Sequence, residues 1–206
     1  FFISTTIFAQ LGNPKKIKLD AINHATRSGI IGDIDGDGID DALFVPYQLE
    51  GENVVYRKGI LNYPFLDAVE IFVTNQAGTA LLADFDGDGD LDIFLCLQTR
   101  TSGVQGFLKI LYNDGSGNFD SSLVLDDIGN SGGRQAANAD IDDDGDQDIV
   151  YTVLDAPGTE FPSGTIWLEN DGEGVFERHV LGTNRAYAIA LGDITNDSRT
   201  DVVITE

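Results

Sequence analysis

The sequence predicts an all-β protein, a β-propeller built from four-stranded antiparallel blades. Three observations predict it. An aspartate-rich phrase recurs four times in the 206-residue chain with its register kept residue by residue. A glycine-rich turn phrase recurs between the copies. Apolar runs with β-branched and aromatic residues flank both phrases, and no stretch of useful length carries a helical period.

The first phrase aligns without gaps as "GDIDGDGIDDALF" from Gly32, "ADFDGDGDLDIFL" from Ala83, "ADIDDDGDQDIVY" from Ala139 and "GDITNDSRTDVVI" from Gly192. Its leading aspartates, Asp33, Asp84, Asp140 and Asp193, are 51, 56 and 53 residues apart. The second phrase appears as "ILYNDGSGNF" from Ile110 and "IWLENDGEGVF" from Ile166. Its glycines supply the positive φ of a tight hairpin. The first repeat lacks this phrase and reads "GILNYPFLDAVEIFV" instead, so its hairpin must turn differently.

Each unit thus reads as four strands. One leads into the aspartate phrase, as in "TALLAD" (79–84) or "AIALGD" (188–193). A second leaves it, as in "DIFLCL" (92–97) or "DIVYTV" (148–153). The third is "FLKILY" (107–112) or "TIWLEN" (165–170), and the fourth "FDSSLVL" (119–125) or "VFERHVL" (175–181). Small residues crowd the first strand: Gly29 and Gly32, Ala80 and Ala83, Ala136, Ala137 and Ala139, then Ala186, Ala188 and Ala190. They suit strands that converge on a central axis. Repeated four-stranded units of this length are a propeller signature, in which each blade buries its faces on its neighbours.

The expected blades are near 24–74, 75–126, 127–182 and 183–206, about three and a half to four, fewer than a closed ring needs. The segment "KKIKLDAI" (15–22) reads as a ring-closing strand, and the whole of 10–206 as part of a larger propeller. Residues 1–9, apolar and ending at Ala9, read as the remnant of a secretory leader.

Thirty-five acidic against 12 basic residues give a formal charge of −23. Such a surface repels nucleic acid and anionic membranes, and no stretch is long and apolar enough to span a bilayer. So much acid in a folded chain raises the question of a bound cation. The single Cys96, inside "IFLCL", reads as a small buried hydrophobe.

Alternate oxygen ligands suit a hard cation, and Ca²⁺ takes six to eight of them. The first loop offers Asp33, Asp35, Asp37, the Ile39 carbonyl and Asp41. The second offers Asp84, Asp86, Asp88, the Asp90 carbonyl and Asp92, and the third Asp140, Asp142, Asp144, the Asp146 carbonyl and Asp148. The fourth is incomplete, because Thr195 and Ser198 interrupt it and leave Asp193, Asp197 and Asp201. An EF-hand would require a bidentate Glu at the twelfth position and flanking helices. Here that position holds Phe44, Leu95 or Tyr151, and β-rich runs follow at once. What remains is a strand–loop–strand calcium site, expected three times with a fourth in question.

The D-x-D-G-D-G-x-x-D loops, their β runs and the N-D-G-x-G-x-F phrase resemble the FG-GAP or VCBS repeat, over nearly all of 17–206. The resemblance implies a propeller, often seven-bladed, with calcium in the hairpin between a blade's first two strands. It implies a secreted or cell-surface location and adhesion to a glycan or protein ligand as a common role, without fixing the ligand.

An enzyme is the alternative. "GNSGG" at 129–133 has the spacing of a nucleophile elbow but lies between two strands, without the helix such an elbow needs. Some polysaccharide lyases use calcium-bearing propellers and need a basic group against a uronate. Such a group would come from the connections after each second strand, 47–59, 97–106 and 152–164, where Tyr47, Arg57, Lys58 and Arg100 read as solvated loop residues. The expectation is a non-catalytic binding module, with a lyase domain or a structural spacer as alternatives.

Overall fold

Four apolar residues in a row, as in Ile93–Cys96, cannot lie on a sheet with one wet face. The computed structural model shows why they are tolerated here. It describes residues 6–9, 15–18, 26–46, 52–59, 68–74, 77–97, 106–129, 132–154 and 164–205. All regular structure among them is β. Strands β1 (Thr6–Ala9) and β2 (Lys15–Lys18) form a two-stranded sheet. Blade one is β3 (Thr26–Gly32), β4 (Asp41–Pro46), β5 (Glu52–Arg57) and β6 (Ala68–Thr74). Blade two is β7 (Ala77–Ala83), β8 (Asp92–Leu97), β9 (Gly106–Tyr112) and β10 (Ser121–Gly129). Blade three is β11 (Gly132–Ala139), β12 (Asp148–Leu154), β13 (Gly164–Asn170) and β14 (Phe176–Gly182). A half blade, β15 (Ala188–Gly192) and β16 (Asp201–Thr205), follows.

Within each blade the strands pair antiparallel in chain order. The first strands of successive blades, β3, β7, β11 and β15, lie against one another. This is the arrangement of a propeller segment, an open arc of blades about an axis. The small residues follow from it: a Cβ added at Gly32 in β3 would meet the Leu91 side chain of blade two at 2.7 Å.

The cores sit between blades. From β8, Ile93 and Leu95 face blade one and join Ile34, Leu43, Val45 and Tyr56. Their neighbours Phe94 and Cys96 face blade three and join Ile149, Tyr151, Ile166 and Leu168. All four β8 residues are fully buried. The strand is covered on both faces, which gives a continuous apolar run instead of alternation. Cys96 is the buried hydrophobe its surroundings predict.

One expectation is corrected. The stretch 47–59 reads in sequence as a connection, yet Glu52–Arg57 is the third strand of blade one, paired with β4 and β6. Its alternation is short, Val54 and Tyr56 inward, and the Arg57–Lys58 pair disguises it. Arg57 is buried in the strand and is not a solvated loop charge. Tyr47, Arg100 and Ser131 of the 129–133 stretch lie outside the described residues, as do 19–22 of the supposed closing strand, whose Lys15–Lys18 pairs with Thr6–Ala9.

Candidate metal centre

The four aspartate phrases fold into one loop geometry, set by side chains that accept from the loop's own amides. Asp33 accepts from the amides of Asp37 and Gly38 at 3.1 and 2.8 Å. Asp84 accepts from Gly87 and Gly89, and Asp140 from Asp143, Asp144 and Gly145. Asp193 does the same with Asp197 and Ser198. The fifth position repeats this on a smaller scale, as Asp37, Asp88, Asp144 and Asp197 each accept from the amide two residues on. The loops need positive φ twice. Where glycine is absent, Asp143, Asn196 and Ser198 adopt it at φ 70, 58 and 71.

The ninth-position aspartates of the first three loops are fully buried. One oxygen of Asp41, Asp92 and Asp148 accepts from the loop's second residue, Ile34, Phe85 or Ile141, at 2.9–3.0 Å. The other accepts from the end of the third strand, at Gly59, Asn113 or Asn170, at 2.7–2.9 Å. Each therefore ties loop to strand inside its blade. Burial is the largest influence on their acidity and raises all three carboxyls, Asp92 to about 6.

The turn phrase of one blade lies on the aspartate loop of the blade before it. Asn113 Nδ2 donates to the Ile34 carbonyl of blade one, and Asn170 Nδ2 to the Phe85 carbonyl of blade two. The phenylalanine that ends the phrase packs beneath the same loops. Phe119 joins the core around Ile34, and Phe176 meets Phe85 edge to face at 6.3 Å. Sequence reading recognised the phrase as a hairpin but missed this role. The Asn that precedes each Asp-Gly was its only sign.

Three sets of carboxylates converge, each with its oxygens within 4.8 Å of one another: Asp33, Asp35 and Asp37; Asp84, Asp86 and Asp92; Asp140, Asp142 and Asp144. They could hold a metal ion. Asp193, Asp197 and Asp201 form no such group, because Thr195 stands where Asp35, Asp86 and Asp142 stand elsewhere. Asp35 Oδ1 and Asp86 Oδ1 are buried without a hydrogen-bond partner. Burial, then the neighbouring Asp88, raises the Asp86 carboxyl, and burial with Asp144 and Glu169 does so for Asp142. Oxygen crowding of this sort, partly desolvated, fits a hard cation. The backbone at Ile39, Asp90 and Asp146 turns at the loop exit, where each amide donates to the fifth-position carboxylate.

The sequence profile of the FG-GAP-like repeat family matches residues 84–151 and again 140–204, together more than half of the chain. The chain belongs to the FG-GAP-like repeat family. No curated protein matches it. The two matches begin at the leading aspartates of the second and third FG-GAP-like loops, so the family unit runs from one loop through the next. Blade one carries the same loop in the same register.

Proposed function

We propose that this FG-GAP-like chain is a calcium-pinned binding module that acts outside the cell and holds a glycan or protein ligand without transforming it. The observation that carries the metal is the pair of buried, partnerless oxygens on Asp35 and Asp86, each at the same position of its loop. A buried carboxylate oxygen without a partner is costly, and a divalent cation offsets that cost. Once bound, Ca²⁺ would neutralise the loop and fix its curl, with Asp33, Asp35 and Asp37 and their counterparts as the holding residues.

Loops on a rigid scaffold are where ligands bind. A cavity of about 430 Å³ opens at the seam of blades two and three, between Tyr112, Asn118, Asp120, Ser121 and Glu173. Its hydroxyl, amide and carboxylate lining suits a polyhydroxylated partner. Residues 1–9 are leader-like in sequence, which favours export although Thr6–Ala9 pairs with Lys15–Lys18, and the net charge of −23 disfavours nucleic acid. One of the basic groups a lyase would require, Arg57, is committed to the blade interior.

Thermal melts in excess Ca²⁺ and in EDTA test the metal. A gain of about 2.7 kcal/mol per site is expected at roughly 100 times Kd. Equal melting temperatures would sink the calcium reading. A glycan array with and without Ca²⁺, run beside a lyase assay on acidic polysaccharides, tests the role, and unsaturated products would overturn the non-catalytic assignment.

A further inference from the structure

Three residues occupy one structural position beside the aspartate loops: Lys58, Tyr112 and Glu169. Each immediately precedes the residue whose amide donates to the ninth-position aspartate, Gly59 to Asp41, Asn113 to Asp92 and Asn170 to Asp148. Lys58 pairs with the third-position carboxylate of its own blade, and Tyr112 and Glu169 interact electrostatically with theirs, Glu169 also lying 2.6 Å from His179 Nε2. Tyr112 feels Asp86, and Asp142 feels Glu169. In blade one the ammonium of Lys58 is 2.5 Å from Asp35 Oδ2, and the Asp35 side chain is only 6% exposed. The neighbouring position thus carries a cation in blade one, a neutral phenol in blade two and a carboxylate in blade three.

We propose that Lys58 is a built-in competitor for the first loop and makes it the low-affinity calcium site of the array. This rests on the calcium reading above. A metal entering between Asp33, Asp35 and Asp37 must displace the ammonium or bind against its charge. Either course weakens binding relative to loops two and three, where no lysine or arginine holds this position. Lys58 has the means to leave, since its side chain is 35% exposed and its stem is flexible. With the metal absent, it is the partner that keeps Asp35 from being a fully unpaired buried charge. The first loop is therefore stable empty and fills last.

Calorimetric titration of the full chain with CaCl₂ tests this. The wild type is expected to show two tight sites and a weaker third. Lys58→Met, which keeps the stem and removes the charge, should tighten the third roughly tenfold or more, and Lys58→Arg should keep the wild-type pattern. In EDTA the Lys58→Met chain should melt lower than the wild type, and in Ca²⁺ it should gain more. If that variant fails to fold, the lysine ammonium resonances of the wild type serve instead. The Lys58 signal should shift only with the last equivalent of Ca²⁺. Calcium uptake with an unchanged Lys58→Met isotherm, or a Lys58 signal that moves with the first equivalent, overturns this inference alone. No uptake by either chain overturns the calcium reading, and this inference with it.

Discussion

Asn113 joins the first two aspartate loops. Its Nδ2 donates to the Ile34 carbonyl of blade one at 2.7 Å and to the Leu91 carbonyl of its own blade at 3.0 Å. Its Oδ1 accepts from the Gly117 amide at 3.0 Å, which closes the hairpin. Asn170 repeats the bridge one blade later, between the Phe85 and Gln147 carbonyls. Neighbouring loops are therefore connected through one side chain.

Asn113→Ala should destabilise the chain by roughly 2–4 kcal/mol, since buried carbonyls and an amide lose their partner together. Asn118→Ala, at the exposed tip of the same hairpin, removes a bond to Asp114 and should cost less than about 1 kcal/mol. Urea midpoints compare the two. Equal losses would show that the bridge between blades contributes nothing beyond the hairpin itself.

Gly87 and Gly89 both have positive φ, 76 and 94, but differ in their surroundings. A Cβ on Gly87 would meet the Gly172 carbonyl oxygen of blade three at 2.6 Å, while one on Gly89 would meet nothing. Gly89→Ala should cost about 1 kcal/mol of backbone strain. Gly87→Ala should cost about 2 kcal/mol more, because the backbone of the next blade must move away. Thermal or urea unfolding of both variants reads the gap, which disappears if the blades separate freely at this seam.

Asp92 sets a pH dependence whose sign reverses with metal. Burial lifts its folded-state pKa to about 6, against the upward-opposing amides of Asn113 and Phe85 that favour the charged form. A carboxyl raised on folding stabilises the chain fully below its unfolded value of about 4, and that contribution is lost as pH rises through about 6. Asp41 and Asp148 shift in the same direction. In EDTA the chain should thus be more stable at about pH 5 than at about pH 7.5, by roughly 1.4 kcal/mol from Asp92. In Ca²⁺ the order should invert, because the ion requires ionised ligands. Denaturant melts at both pH values, with and without metal, check both signs.

The fourth loop keeps the backbone of the others. Asp193 and Asp197 accept the same amides, and Asp201 accepts from Ile194 and Thr195 at 2.8 and 2.9 Å. What it lacks is the third-position carboxylate. Thr195→Asp should add one Ca²⁺ to the stoichiometry measured by calorimetry, and an unchanged stoichiometry would mean that more than this carboxylate is missing.

The repeat, the blade count and the strand order within a blade were legible in the chain. They are local and periodic, and a period of two or of about fifty residues survives without knowledge of the fold. Strand β5 was not legible, because Val54 and Tyr56 make too short an alternation beside Glu52, Arg57 and Lys58. The partners across blades were not legible either. That Lys58 faces Asp35, that Asn113 reaches Ile34 seventy-nine positions away, and that Ile93 and Phe94 serve different cores depend on how one sheet lies upon the next. Sequence by itself determined that each of the three full blades carries an acidic loop whose carboxylates could hold a cation. Only the tertiary structure decided what each loop meets, because packing between blades places residues distant in the chain within hydrogen-bonding distance, and charge and burial act through distance in space.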